Sequence, residues 1–172
     1  MKKFELTGEF ITNIFGKKLF RIRALVAFGN VEAGELGGYV EKEENLSDDG
    51  DAWVYGDAQV SGNARVSGNA RVSGDAWVSG DARVSGDAWV SGDARVSGNA
   101  DILQITGLGT VHRTTTVFRT TDGIRIACGC FFGDLDAFRE QVKKTRGGKV
   151  QREYLAFADL VEIYFGEDKK DE

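Results

Sequence analysis

Seven tryptophan and arginine residues recur at multiples of six along the middle of the chain. They are Trp53, Arg65, Arg71, Trp77, Arg83, Trp89 and Arg95. A guanidinium group is attracted to the face of an indole ring, and exposed tryptophan with arginine is the composition of interface hot spots. These residues therefore predict a binding surface for a partner, which can be another copy of the chain. The alternative is that they only stabilise stacked strands, as cross-strand pairs do by about 0.2 to 1 kcal/mol each.

Three other side chains could support catalysis or metal binding. His112 is the only histidine, and nothing near it in sequence supplies a nucleophile or a set of oxyanion donors, so we expect a strand residue and no catalytic residue. A zinc site needs about four ligands, which Cys128, Cys130 and one histidine do not provide. We expect buried thiols, no metal and no cofactor, with zinc shared between subunits as the alternative.

A strict six-residue repeat must position the tryptophans and arginines. Valine recurs every sixth residue from Val54 and is replaced by isoleucine at Ile102, and alanine precedes it by two from Ala52. Residues two apart in a strand share a face, so alanine and valine point inward and the residue between them points outward. Gly-Asp and Gly-Asn pairs tolerate the positive φ of tight corners. The repeat predicts a mainly β fold with a three-sided β-solenoid over residues 51–106.

Stacking of the rungs brings the outward residues into columns. If three hexads complete one turn, residues 18 apart lie about 4.8 Å apart on neighbouring coils. The predicted columns are Trp53, Arg71, Trp89, then Gln59, Trp77, Arg95, then Arg65, Arg83, Asp101. The first column predicts a cation–π ladder. Aspartates at the corners could imitate DNA phosphates, but asparagines interrupt them and arginines lie beside them, so we favour a turn role.

The flanking segments are expected to cap the coil, since a repeat buries its apolar face only against a neighbour. Residues 1–50 predict a β-hairpin around residues 15–18 and an irregular first coil. Residues 107–166 predict a ββαα module. Its strands meet at Asp122-Gly123, and Ile124, Ile126, Cys128 and Cys130 share one face of the return strand. Residues 167–172 read as a frayed charged tail.

The two predicted helices have apolar faces. Asp134 can cap the first, which carries Leu135, Phe138 and Val142 and ends near residues 147–148. The second covers about residues 150–165, with apolar positions at Tyr154, Phe157, Val161 and Tyr164.

Two segments resemble known families. The pattern Val-Ser-Gly-Asp-Ala-Arg, with the lead-in from Leu19 to Ser47, resembles hexapeptide-repeat β-solenoids of bacterial and prophage proteins of the acyltransferase-like and polymer-forming types. The resemblance implies left-handed winding, trimerisation and, in the enzymes, a histidine base beside the coil, whereas His112 lies outside the repeat. Residues 118–156 are similar to a C-terminal module of phage and prophage proteins. Relatives often carry His-Gly where this chain has Arg146-Gly147, so that histidine's role does not transfer.

Composition narrows the function classes. The net charge of −5 and the absence of a basic segment disfavour ordinary nucleic-acid binding, and no apolar run suggests a signal peptide or a membrane span. We expect a cytoplasmic, non-enzymatic homo-oligomer, a trimer or a dimer, of phage or prophage type. By analogy it would bind a host protein or a nucleotide signal as an anti-defence inhibitor, such as an anti-CRISPR. The alternatives are a hexapeptide acyltransferase and a structural polymer.

Overall fold

The computed structural model, which describes residues 1–166, begins with the predicted β-hairpin. Strand β1 (Phe4–Thr12) pairs antiparallel with β2 (Lys18–Ala24) around a turn at residues 13–17. Phe4, Leu19, Ile22 and Ala24 are buried, so one face of the hairpin lies against the rest of the protein. The charged tail expected at residues 167–172 lies outside the described residues.

The segment after the hairpin forms an irregular first coil, as predicted. Strand β3 (Leu36–Val40) pairs antiparallel with β2 and parallel with the repeat, aligning Tyr39 with Gln59 and Val40 with Val60. A 3₁₀ turn at Glu43–Asn45 follows, and Leu46 forms a parallel bridge with Val66. Residues 1–50, here called the N-terminal cap, therefore supply both the hairpin and the lowest rung of the coil.

The repeat forms eight strands of two residues each. They are β4 (Trp53–Val54), β5 (Gln59–Val60), β6 (Arg65–Val66), β7 (Arg71–Val72), β8 (Trp77–Val78), β9 (Arg83–Val84), β10 (Trp89–Val90) and β11 (Arg95–Val96). Strands three positions apart pair in parallel with an offset of 18 residues, which confirms the three-sided coil. The repeat alanines and valines up to Val96 are all buried. Left-handed winding stays a prediction.

Three walls follow from this pairing. Wall A contains β4, β7 and β10; wall B contains β3, β5, β8 and β11; wall C contains β6 and β9. At the corners, the glycines from Gly56 to Gly92 have φ between +58° and +65°, whereas the aspartates and asparagines do not have positive φ. At Gly80 a methyl group would also overlap the carbonyl oxygen of Ser97, so this corner admits only glycine.

The repeat ends earlier than its spacing predicts. Ala100 is exposed, and a 3₁₀ turn at Asn99–Asp101 replaces the expected corner. The side chain of Asp101 accepts a hydrogen bond from the Ser97 amide at 2.9 Å and pairs with Arg119 at 3.0 Å. The prediction that Asp101 stacks on Arg83 is therefore wrong, because local hydrogen bonds turn the chain away from the coil.

A four-stranded antiparallel sheet follows, where two strands were predicted. Its order is β12 (Ile102–Leu108), β13 (Arg113–Thr120), β14 (Gly123–Cys128) and β15 (Phe131–Gly133). The hairpin at Asp122-Gly123 is confirmed. The first strand was missed because Ile102 continues the six-residue spacing, and the last because three residues carry no readable alternation.

Two helices complete the C-terminal module, residues 102–165. The Ala137 amide donates to the Asp134 carboxylate at 2.8 Å, which caps α1 (Leu135–Thr145) as predicted. Helix α2 (Gly148–Phe165) buries Tyr154, Phe157 and Val161, but Phe165 takes the buried position expected for Tyr164. Neither helix in residues 1–166 is long and apolar enough to cross a membrane.

Strand β13 joins the two units because its faces pack on different cores. Phe118 lies in the core of the solenoid, whereas Val117 packs with the helices. The strand also bridges the last coil, where the Thr121 amide donates to the carbonyl of Asp93 at 3.3 Å. The C-terminal module thus lies against one end of the coil.

Candidate functional site

A groove with a volume of about 620 Å³ runs along wall A. We call it groove A. The N-terminal cap bounds it on one side and the C-terminal sheet on another. The residues on which its chemistry depends are Asn30, Tyr55, Arg71, Trp89, Arg113 and Thr116. The groove is therefore built by all three parts of the protein.

Trp53 forms the lowest rung of wall A but is fully buried. The ring of Phe28 lies 5.3 Å away and that of Phe4 lies 6.4 Å away, both edge-on to the indole. The prediction that Trp53 is exposed is wrong, because the N-terminal cap folds over this rung. Trp53 anchors the cap and cannot touch a partner directly.

Arg71 is aligned between Trp53 and Trp89, as the 18-residue stacking predicts. It is exposed, and within residues 1–166 it forms no ion pair and no cation–π contact. The predicted cation–π ladder on this column is therefore wrong. The physical reason is that Trp53 turns its indole under the cap while other residues hold Trp89.

Trp89 is held by both the solenoid and the C-terminal sheet. Its indole N–H donates to the hydroxyl of Ser73 at 3.3 Å, and its backbone amide donates to the Thr116 hydroxyl at 3.2 Å. The ring of Phe132 lies 6.2 Å from the indole. The side chain still exposes 39% of its surface. A fixed, half-open indole of this kind offers a planar face to a ligand.

Arg113 lines groove A and also a smaller cavity beside Cys128 and Tyr154. It lies at the start of β13 and its side chain covers Gly129, where a methyl group would overlap the guanidinium. Within the described part of the chain Arg113 has no carboxylate partner. Sequence reasoning missed this residue, because its position depends on how the sheet docks on the coil.

One edge of the groove carries a column of corner residues. The Asp51 amide donates to the side-chain oxygen of Asn69 at 3.3 Å, and the Asn69 side chain donates to Asp87 at 3.2 Å. Tyr55 also lines the groove, and partial burial raises the pKa of its hydroxyl, which the positive charge of Arg71 opposes. The sequence analysis missed Tyr55, although this residue replaces the serine found at the same position in later repeats.

Wall B uses its own tryptophan and arginine internally. The guanidinium of Arg95 lies 4.0 Å above the ring of Trp77 and donates to the carbonyls of Asp75 at 2.9 Å and Ala94 at 2.8 Å. The exposed hairpin tip, Ile14 and Phe15, borders Trp77. On wall B, Trp77 and Arg95 therefore make the kind of cross-strand contact that was considered as the alternative to a binding surface.

Wall C carries Arg65 and Arg83 in register. They line a second groove, of about 580 Å³, which we call groove C. Among the residues from 1 to 166 no aromatic residue lines it, and four carboxylates share it, namely Glu43, Glu44, Asp48 and Asp49. The seven predicted binding residues therefore separate onto three walls, and only Arg71 and Trp89 line groove A.

The residues considered for catalysis or metal binding lie outside groove A. His112 is in the turn between β12 and β13 with φ +51°, and its Nδ1 is 2.9 Å from the carbonyl oxygen of Gly107, so the expected strand position is wrong. Cys128 is half-buried and Cys130 is exposed in the turn after β14, so the expectation of two buried thiols is wrong, because the strand ends at Cys128. Within residues 1–166 no cluster of three metal-binding side chains occurs.

Comparison with protein families supports the repeat. Residues 58–74, 64–80 and 76–92 match the family model described as YdcK Beta solenoid repeat. No curated protein matches the chain. The matched residues cover most of the regular strands, from β5 to β10. Together with the parallel pairing at intervals of 18 residues, they identify the chain as a β-solenoid repeat protein with a C-terminal module of two helices and a separate sheet.

Proposed function

We propose that this chain is a non-enzymatic binding protein and that groove A is its binding site. One observation carries the proposal: Arg71 and Arg113, both without ion pairs in residues 1–166, line the same groove as the half-open indole of Trp89. Exposed arginine and tryptophan in a concave site are typical of binding surfaces.

Two features favour binding over the alternatives. Among the described residues that line groove A, none is a histidine or a cysteine, which are the side chains first considered for acyl transfer or metal chemistry. The ends of the coil are covered by the hairpin and by β13, which disfavours a polymer formed by stacking coils end to end.

The biological setting is the finer part of the proposal. The resemblance of residues 19–47 and 118–156 to prophage proteins supports a phage-type protein that acts in the host cytoplasm as a dimer or trimer. In that setting the groove would bind a host protein or a nucleotide signal and so inhibit host defence.

Affinity capture from host lysate, with mass spectrometry and extraction of small molecules, tests the site. Arg71→Ala and Trp89→Ala should lose the captured component, because both side chains are exposed in groove A. Arg65→Ala is the matched control, since it removes an exposed arginine from the same repeat position on wall C. Equal capture by all three variants would place the binding site outside groove A.

A further inference from the structure

We propose that the ligand of groove A is a ribonucleotide, with its phosphate bound by Arg71 and Arg113 and its base stacked on Trp89. This inference rests on the proposed function, since it names the class of molecule that the groove binds. The observations that carry it are the charges, the aromatic face and the acceptor groups that the groove combines.

The cations are the first part of the argument. Arg71 comes from the solenoid and Arg113 from the C-terminal sheet, and within residues 1–166 neither is neutralised by a carboxylate within 4 Å. A planar guanidinium matches the geometry of a phosphate and donates two hydrogen bonds to it. Two such groups in one groove favour a ligand with a phosphate.

The aromatic residues are the second part. The indole of Trp89 is fixed by Ser73 and Phe132, so that stacking on it costs little conformational entropy. Tyr55 lines the same groove. Stacking on aromatic side chains is the common way in which proteins bind single bases. Arginine without an aromatic neighbour would suit any anion, whereas this combination favours a nucleotide.

The carboxylates are the third part, and they favour a ligand that also carries hydrogen-bond donors. Asp51 and Asp87 lie on one edge of groove A and would repel inorganic phosphate or sulfate. A carboxylate accepts hydrogen bonds from the hydroxyls of a ribose or from the amino group of a base. A groove that has both guanidinium and carboxylate groups therefore matches a ligand with a phosphate at one end and hydrogen-bond donors at the other.

Size and the contrast with groove C agree with this class. A volume of about 620 Å³ lies within the range of about 300 to 1,000 Å³ that is typical of small-molecule sites. Groove C is of similar size but has four carboxylates against two arginines and no aromatic lining residue. Groove C therefore provides a control, within the same protein, for the effects of charge and of concave shape on nucleotide binding.

Isothermal titration calorimetry on the full chain tests the inference. The probes are AMP, GMP and a cyclic dinucleotide, with adenosine as the probe without phosphate and pyrophosphate as the probe without base. At least one nucleotide should bind saturably. The affinities for adenosine and for pyrophosphate should each be lower than that for the nucleotide by about ten-fold or more. Arg71→Ala, Arg113→Ala and Trp89→Ala should each weaken that nucleotide about ten-fold or more, whereas Arg65→Ala should bind as the unmodified chain does.

Arg71→Lys guards against a folding defect, since it keeps the charge but loses the paired donors. Its affinity for the nucleotide should lie between that of the unmodified chain and that of Arg71→Ala. Failure of all three nucleotides to bind at millimolar concentration would overturn the inference, as would equal affinity in the groove A variants. If lysate capture still depends on Arg71 and Trp89 in that case, groove A binds a protein, and the proposed function stands without the nucleotide.

Discussion

Walls A and B have the same repeat and the same register, yet their tryptophans and arginines make different contacts. On wall B, Arg95 covers Trp77 and donates to two backbone carbonyls. On wall A, Arg71 is aligned between Trp53 and Trp89. Within residues 1–166 its guanidinium lies over neither indole ring. In one column the side chains contact each other, whereas the other leaves a guanidinium and part of an indole exposed.

The neighbours of each wall explain this difference. The N-terminal cap places Phe28 against Trp53, and the C-terminal sheet places Thr116 and Phe132 against Trp89. On wall B, the flanking residues that lie beside Trp77 are those of the hairpin tip. A repeat therefore supplies equivalent positions, and the flanking units decide which of them stay exposed.

The largest expected effect concerns the lowest rung of wall A. Trp53→Ala should lower the free energy of unfolding by about 3 to 5 kcal/mol, because it empties a fully buried site between the cap and the coil. Urea unfolding followed by circular dichroism measures this. Trp89→Ala is the control on the same wall and should cost about 1 kcal/mol, since its indole is half open. Equal losses would show that the cap does not stabilise Trp53.

A direct comparison of the two arginines should give an intermediate effect. Arg95→Ala should lower the free energy of unfolding by about 1 to 2 kcal/mol, because it removes a cation–π contact and two hydrogen bonds. Arg71→Ala should change it by about 0.5 kcal/mol or less, since Arg71 has no such contacts in the described chain. Thermal or urea unfolding of the pair decides the point. A larger loss for Arg71→Ala would give wall A a structural role instead.

The smallest effect is a pH dependence at the base of wall A. Burial lowers the pKa of Lys3, whose ammonium group donates to the carbonyls of Ala52 at 2.8 Å and Gly50 at 3.2 Å, and nearby Asp48 opposes that shift. Because the folded-state pKa is the lower one, the unfolded chain binds more protons between it and about 10.5. The free energy of unfolding should therefore rise with pH in that alkaline range.

Lys3→Met provides the control for this slope, since it removes the titrating group and keeps a side chain of similar length. The measured quantity is the difference in slope between the two chains and not their absolute stability. Parallel pH profiles would show that Lys3 keeps its ordinary pKa in the folded protein.

Much of the fold followed from local patterns. The six-residue spacing predicted the 18-residue stacking, and the Asp134 cap and the Asp122-Gly123 turn were each predicted from a few residues. One error shows what the spacing cannot reveal. Ile102 fits the repeat but belongs to the next sheet, because nothing in the spacing shows where a neighbouring unit takes over.

The candidate site was less predictable than the fold. Arg71 and Trp89 were identified because they occupy an outward repeat position. Arg113 and the burial of Trp53 depend on contacts between residues far apart in sequence. The contact of a residue with a distant unit leaves no periodic signal. Sequence reasoning therefore identified the residues of wall A and missed those that the C-terminal sheet adds to the groove.

The sequence by itself determined the coil, since alanine and valine at fixed positions can be buried only if every sixth residue turns the same corner. It also determined that the residues between alanine and valine are stacked in register as columns. Only the tertiary structure decided which column stays open. That choice depends on where the cap and the C-terminal sheet dock, and docking is governed by the packing of surfaces that are remote in the chain.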